Sequence, residues 1–314
     1  MQRPSEKASS AVFVGVAARD VIALVPRFPL PDERLVAEEI VYAGGGPAAT
    51  AAVAFARLGG KAYFVGALGD DDAGETIVAE LRAEGVDVSG VIRVPGARSM
   101  RCVIVADRSL GTRAICALPG PALRIAENSI AAELICDAGW VHTDHSGWRP
   151  VQDFLARQSG SAPRLSVDLG NPTPGFTANG VELFVPTQQQ LIGLYGQNPL
   201  PELLRAAVLD GAQCVVATAG SAGSWALTAA GASCHVPAFP AEIVSTLGAG
   251  DVFHGALLAA VTRDLPLAHC LAYANIAAAL SCRGLDGRSA IPGHEEVVTK
   301  LHPFLAEQEI GADR

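Results

Sequence analysis

The sequence predicts an α/β protein, with a mostly parallel sheet covered on both faces by helices and a small β appendage. Three observations carry that expectation. Short apolar strand-like runs alternate with helical runs along most of the chain, the signature of a parallel sheet joined by helical crossovers. The stretch 98–118 breaks the rhythm with two strand-like runs around the polar Asp107–Gly111 turn, a hairpin. Glycine-rich turns follow several strand runs, and ligands of open α/β sheets sit beyond the carboxyl ends of strands.

Taken in order, "AVFVGVA" (11–17) is a buried strand by length and composition. "LVAEEIVY" (35–42) reads as a strand stopped by Gly44–Gly46. "PAATAAVAFARLG" (47–59) is a helix, with Pro in its first turn and Gly59–Gly60 at its end. "KAYFVGALG" (61–69) is the next strand and loop, and "DAGETIVAELRAEG" (72–85) is an amphipathic helix closed by Gly85. After the hairpin, "GWVHTD", "RLSVDL", "LFVPT", "CVVATAG" and "SWALTAAG" continue the strand series. No repeat or long linker divides 11–314, so one domain is expected, its appendage drawn from about 19–43 and 91–118 and residues 1–10 forming a loose tail.

Half of the 314 residues are hydrophobic and 18% are charged, ample for a large core. The net charge of −9 argues against nucleic acid as a partner. Seven cysteines, 102, 116, 136, 214, 234, 270 and 282, include no C-x-x-C pair. They read as buried reduced thiols, which points to a cytoplasmic protein. The apolar run after the polar start is too short to span a bilayer, so neither a signal peptide nor a membrane segment is expected.

Chemistry concentrates at "STLGAGD" (245–251), which runs straight into the apolar "VFHGALLAAV". If Gly248, Ala249 and Gly250 turn into a helix, its first N–H groups lack intrahelical partners and the helix dipole adds positive potential. Small side chains let an anion reach those donors, each worth roughly 3–4 kcal/mol to a transition state. A carboxylate at Asp251 would repel a phosphate unless it faces a hydroxyl that loses its proton while attacking phosphorus. The plain alternative is that Asp251 only caps a helix. The Walker pattern is absent, since Ala62 follows Gly60–Lys61, and "GGGPAAT" is too crowded for a dinucleotide fingerprint.

These segments together resemble the ribokinase-like, or PfkB-type, carbohydrate kinases. The amino-terminal signature is matched by 44–91 ("GGGPAATAAVAFARLGGKAYFVGALGDDDAGETIVAELRAEGVDVSGV") and the carboxy-terminal one by 245–261. "TAGSAG" (218–223) and "AYANIAAALSCRGLDGRSAIP" (272–292) match the nucleotide-side segments. The resemblance implies a three-layer ribokinase-like sandwich with a β lid over the sugar, often a homodimer surface. It implies ATP as phosphoryl donor, with Mg²⁺ held through phosphates and water, and a small sugar as acceptor. By position it makes Asp251 the catalytic base and the amides of Gly248, Ala249 and Gly250 the anion hole. Asp20, Gly45, Gly46, Thr50 and Asp144 fall on the sugar side. Thr187, Gln190, Thr218, Gly220, Gly223 and Asn275 fall on the ATP side.

Three positions depart from the family pattern. Ser245 replaces an Asp that helps hold a monovalent cation, which puts potassium dependence in doubt. Thr50 replaces an Asn that contacts the sugar. "TQQQ" replaces N-x-x-E, so Thr187 and Gln190 stand where a Glu organises Mg²⁺ waters. "GGGPAATAA" and "CRGLDGRSAIP" look closest to the ketohexokinase- and sulfofructose-kinase-like branch, which implies a ketose or modified ketose. A sulfonated sugar would need cations, and Arg101, Arg113 and Arg149 are candidates, with plain surface roles as the alternative. A non-catalytic sugar- or nucleotide-binding protein of this fold remains a rival reading. So does a nucleoside kinase, although only 5% of residues are aromatic and available to stack a base.

Other tempting residues have ordinary readings. "HTDH" (142–145) has ligand-like spacing but no second cluster, so no metal site is expected. His254 is expected in core or surface, Trp140 and Trp148 in packing, and Asp70–Asp72 in a solvated loop and helix start.

Overall fold

The computed structural model describes residues 10–160, 162–171 and 173–308. The chain opens with β1 (Ser10–Val14) and passes through β2 (Ala18–Val25) and β3 (Glu39–Gly45) before α1 (Pro47–Arg57) returns it to β4 (Lys61–Val65). Next come β5 (Ala67–Gly69), α2 (Asp72–Ala83), β6 (Ile92–Val94) and the hairpin β7 (Arg101–Asp107) and β8 (Thr112–Leu118). Alternation resumes with α3 (Ile130–Asp137), β9 (Trp140–Thr143), α4 (Trp148–Leu155), β10 (Arg164–Val167) and β11 (Leu183–Phe184). It continues through α5 (Gln188–Tyr195), α6 (Leu200–Leu209), β12 (Cys214–Thr218), β13 (Ser224–Thr228) and β14 (Ser233–Val236). Helices α7 (Ala249–Val261), α8 (Leu267–Ser281) and α9 (His294–Glu307) follow.

The main sheet runs β14-β13-β12-β11-β10-β9-β1-β4. All its pairings are parallel except β12–β13 and β13–β14. From β1 the chain fills β4 on one side, then β9 and its successors on the other. The strand order therefore reverses beside β1, and ligands of such sheets bind beyond the carboxyl ends of the strands, outside such a point. Both faces are covered, which is why β1 reads as a nearly continuous apolar run. One core, with Phe13, Phe55, Phe64 and Tyr273, lies under α1, α7, α8 and α9. The other, with Val141, Phe154, Phe184 and Leu203, lies under α3 to α6. Each such fully buried side chain stabilises by about 1.5–3 kcal/mol relative to exposure.

Helices α1 and α7 pack side by side, and their sequences explain how. Ala48, Ala49, Ala51, Ala52 and Ala54 are buried on α1, and α7 answers with Gly255, Ala256, Ala259 and Ala260. A Cβ at Gly255 would collide with the Ala51 carbonyl oxygen. Small residues thus let the helix bearing Thr50 press against the helix bearing Asp251.

The lid is a second sheet, β3-β2-β7-β8. Its inner face packs Ile22, Leu24, Cys102 and Ile104 against Leu247 and Leu285 of two loops of the main body. Three expectations change. The strand expected at 35–42 is Glu39–Gly45, because pairing with β2 begins at Leu24–Glu39 and carries it through Gly44 and Gly45. Ile92–Val94 belongs not to the lid sheet but to a ribbon with β5. Ser10 begins β1, and the rest of the expected tail lies outside the described residues. The cysteines also differ from a uniformly buried set: Cys102, Cys270 and Cys282 are buried, Cys214 and Cys234 intermediate, Cys116 and Cys136 exposed. The reason is strand alternation and helix faces, since apolar neighbours in sequence do not make every position face inward. No helix among the described residues is long and apolar enough to cross a membrane.

The α1–α7 contact yields a test. Gly255→Ala should cost about 1–3 kcal/mol through overpacking, more than the roughly 1 kcal/mol of helix propensity it gains. Thermal unfolding should show a midpoint lower by a few degrees. An unchanged or higher midpoint would mean that the two helices separate freely.

Candidate active site

The glycine turn before α7 is built for a ligand. Gly248 caps the helix at φ +73°, and a Cβ there would lie 2.7 Å from the Gly287 Cα. Both the left-handed backbone and the close approach demand glycine. Gly250 differs, since a Cβ there would meet nothing within 4 Å. Packing does not require glycine at 250; the missing side chain leaves the helix start open to the cavity beside it. In this first turn the N–H groups of Gly250 and Asp251 have no intrahelical acceptor. The Ala249 N–H lies 3.3 Å from the Thr246 carbonyl, so the expected three-amide cradle shares one of its donors with the protein itself.

Beside the turn lies a cavity of about 670 Å³, within the common range for small-molecule sites. Thr187, Thr218, Gly220, Gly223 and Asn275 line it together with Ala249 and Gly250. Gln190 does not. It closes a capping box with Thr187: the Thr187 hydroxyl accepts from the Gln190 N–H at 3.1 Å, and the Gln190 Oε1 accepts from the Thr187 N–H at 2.7 Å. Asn275 forms wall rather than reader. Its Nδ2 donates to the carbonyls of Val236 (3.1 Å) and Pro237 (3.0 Å), and its Oδ1 accepts from the Ser224 hydroxyl at 3.1 Å. Arg113, on the inner face of β8, is the charged side chain lining this cavity among the described residues, and its Nη1 donates to the Thr246 hydroxyl at 3.0 Å. Ser245 accepts the Leu247 N–H at 3.2 Å and lines a smaller neighbouring cavity of about 290 Å³ under the lid turn.

The lid side of the site gathers Asp20, Gly45, Gly46 and Thr50. Asp20 is buried, and its Oδ1 has no hydrogen-bond partner. A Cβ on Gly45 would collide with the Asp20 carboxylate. Gly46 has φ +92°, and its Cβ would lie 2.5 Å from the Val16 carbonyl. Thr50 accepts from the Arg288 Nε at 3.1 Å. Asp144 takes a different part from the sugar contact expected of it. It is fully buried, and its Oδ2 accepts from the N–H of Val16 (2.7 Å) and Ala48 (3.3 Å). Its Oδ1 accepts from the N–H of Ser146 (2.8 Å) and Gly147 (2.9 Å). Four backbone donors consume it, tying the ends of β1 and β9 to the start of α1.

Two groups escaped the sequence reading. Asp168 follows β10, and its Oδ2 lies 3.5 Å from the Nε2 of His254. The ring of His254 in turn packs at a tilt against His142, centroids 5.4 Å apart, and the His142 Nδ1 meets the Ser166 hydroxyl at 3.0 Å. Burial pushes both histidines down to about 3, so they are neutral partners and not an ion pair with Asp168. Burial also raises Asp168. Asp251 is raised well above the ordinary aspartate value, first by burial and then by the carboxylates of Asp168 and Asp144, against the pull of Arg288 and Arg113. The second group is Arg288, buried with 6% exposure, whose Nη2 donates to the Gly45 carbonyl at 2.7 Å. Neither had a local signal: Arg288 meets Thr50 across 238 positions of sequence.

The remaining candidates find structural roles. Arg101 pairs with Asp71 at 2.6 Å, and Arg149 donates to the Pro174 carbonyl at 2.7 Å. Asp71 caps α2 through the Gly74 N–H at 3.0 Å. Trp148 packs on Phe176 with ring centroids 5.3 Å apart, and Arg164 lies 4.5 Å over Trp140. The "HTDH" residues disperse, with His145 facing Asn171 at 3.3 Å. No group of three or more His, Cys, Asp or Glu among the described residues could hold a metal ion.

A donor-rich helix start, an adjacent carboxylate and a lid-covered pocket find their counterpart in known proteins. The chain matches the pfkB family carbohydrate kinase model over residues 8–292. It belongs to the pfkB family of carbohydrate kinases. It is 27% identical over 304 residues to a ribokinase of Haemophilus influenzae, covering 92% of this chain and 97% of the relative. It is 26% identical over 292 residues to the ketohexokinase of Mus musculus, covering 87% and 97%. The crystal structure of a putative ribokinase from Agrobacterium tumefaciens matches with a TM-score of 0.84 at 28% identity, over 95% of this chain and 99% of that one. The kinase is therefore a ribokinase-fold phosphotransferase with an alcohol acceptor, of the ATP-dependent sugar kinase type.

The raised Asp251 has a sign that stability measurements can read. A carboxyl whose folded value exceeds its unfolded one destabilises the fold wherever the unfolded chain is ionised. Asp251→Asn should therefore raise the unfolding midpoint at neutral pH. The gain should vanish as pH falls below the ordinary value of 3.8, where both states are protonated. A variant less stable at pH 7 would contradict this.

Proposed function

We propose that the kinase transfers the γ-phosphoryl group of ATP to a hydroxyl of a small sugar, with Asp251 as the base. The observation that carries this is the helix start at Gly250, left bare toward the cavity with Asp251 one residue on. The sugar oxygen attacks γ-phosphorus in line and the bond from phosphorus to the ADP oxygen breaks. The hydroxyl proton passes to the Asp251 carboxylate. The N–H groups of Gly248, Gly250 and Asp251, with a shared contribution from Ala249, receive charge on the phosphoryl oxygens. Thr187, Thr218, Gly220 and Gly223 shape the nucleotide cavity, and Arg113 brings a cation from the lid to its rim. Asp20, Gly45, Gly46 and Thr50 hold the sugar. Catalysis here is positioning plus electrostatics, and lid closure keeps water from the phosphoryl group.

Mg²⁺ would be held through the phosphates of the bound nucleotide. With Thr187 and Gln190 joined in a capping box, the protein would receive the metal through phosphates and bound water. The metal neutralises phosphate charge when bound. Ser245, a neutral residue in its loop, supports potassium-independent activity. The acceptor reading is a ketose or modified ketose, supported by the ketohexokinase likeness, with a pentose as the competing acceptor because the ribokinase match is slightly higher in identity and coverage. A homodimer through the lid would cover the exposed Ile40, Tyr42 and Val103 on its outer face; light scattering on the purified protein decides this.

Phosphoryl transfer across a panel of ketoses and aldoses tests the reading. Asp251→Asn should lower kcat by roughly 10²–10⁴ while ATP binding persists; near-normal turnover would reject the assignment. The acid limb of kcat/KM should lie above the ordinary aspartate value, because the base must be ionised to act. Asp168→Asn should move that limb to lower pH by removing a like charge. An unmoved limb would show that Asp168 does not act on Asp251. Arg113→Ala should cut kcat/KM for ATP by at least tenfold, the loss of a charge-assisted contact.

A further inference from the structure

Arg288 is buried and preorganised, and its charge goes unanswered by direct contact. Its backbone is fixed from two sides. The Asp286 Oδ1 accepts from the N–H of Arg288 and of Ser289, both at 2.7 Å. Arg57 of α1 donates through Nη1 to the carbonyls of Arg288 (2.8 Å) and Ile291 (3.1 Å). The guanidinium then uses Nε on the Thr50 hydroxyl and Nη2 on the Gly45 carbonyl. Its Nη1 lies over Gly44, where a Cβ would collide with it.

Both of its protein partners are neutral, and it forms no ion pair with a carboxylate among the described residues. Burial disfavours its charge, while Glu80, Asp20, Glu84 and Asp251 favour it from a distance. Glu80 is paired with Arg19 through Oε1, while its Oε2, buried and without a hydrogen-bond partner, lies over the same Gly44 as the Arg288 Nη1 but forms no ion pair with it. Asp20 keeps an unpartnered buried oxygen beside the same glycine turn. Leaving a buried guanidinium and a buried carboxylate oxygen unfilled side by side is costly unless a ligand fills both. Holding a turn would need no cation, since a neutral amide could do it. Five fixed donors on a plane suit the reading of adjacent oxygens.

We propose that Arg288 is a specificity-determining residue of the acceptor site. It reads one oxygen of the acceptor through its spare N–H groups, while Asp20 accepts a hydrogen bond from the hydroxyl beside it. The acceptor class is thus a polyhydroxylated molecule with two adjacent oxygens, at least one a hydroxyl. Thr50, whose oxygen accepts from Arg288, has its own O–H to offer as a third contact. This deepens the kinase reading and rests on it for the place of the acceptor.

The test uses Arg288→Lys, which keeps the charge and loses the fork, on the full-length protein. D-fructose, D-tagatose, D-psicose, D-ribose and D-glucose are the probes, with deoxy analogues of whichever is bound best. KM for that sugar should rise roughly tenfold to a hundredfold, with KM for ATP within twofold. One deoxy analogue should lose affinity against the wild type yet lose no more against Arg288→Lys, since the contact is already gone. If both KM values rise together, or if every deoxy penalty persists in the variant, Arg288 only supports the turn and the proposal fails. If Arg288→Lys does not fold, Thr50→Val takes its place, and its sugar KM should rise with the ATP KM unchanged. A wild type that binds a probe without phosphorylating it removes the kinase reading alone, and the dissociation constants of wild type and variant then decide Arg288. A wild type that binds no probe overturns this proposal.

Discussion

The site depends on one contact, Gly248 packed backbone to backbone on Gly287. That contact sets where α7 begins and which way its first N–H groups point. It also fixes the loop whose next residue, Arg288, reaches across to Gly45 and Thr50. The start of α7 and the Gly45–Thr50 segment are therefore held at a set distance by glycine backbone, not by long side chains. A side chain at either position would push the two halves apart, and in-line transfer tolerates little displacement.

Around that contact the protein accepts an electrostatic cost. Asp20, Asp144, Asp168 and Asp251 all lie in low-dielectric surroundings that raise their affinity for protons. Asp144 offsets its burial with four backbone hydrogen bonds. Asp168 meets a single backbone N–H and a neutral histidine. Asp20 and Asp251 are left less satisfied, and they lie beside the two glycine turns of the candidate site. Carboxylates that only held the fold would be expected to resemble Asp144. The contrast within one molecule separates architecture from chemistry better than sequence position does.

The lid extends the same logic. Its inner face joins the body through Leu247, next to Gly248, and Leu285, two positions before Gly287. Arg113 on that face lines the large cavity and donates to the Thr246 hydroxyl. One sheet thus carries both Asp20, beside the Gly45 turn, and Arg113, on the wall of the large cavity, so under the proposed function its position bears on both substrates at once.

Much of this was legible in the sequence. Strand–helix alternation gave the layered sheet, because periodicity reports which faces are buried. The "STLGAGD" and "GGGPAAT" turns were visible because glycine clusters beside a helix start are rare and local. Strand ends were less so, since pairing with β2 and not the local run set the bounds of β3. The use of each polar group was out of reach: Asp144 turning to four amides, Asn275 closing a wall, Asp168 and Arg288 entering at all. Those depend on which distant backbone atoms arrive beside a side chain. The sequence by itself determined the fold class and the two glycine turns, because both follow from local periodicity and backbone freedom. Only the tertiary structure decided which charges stay unsatisfied at the pocket, because hydrogen-bond satisfaction is a property of atoms brought together from far apart in the chain.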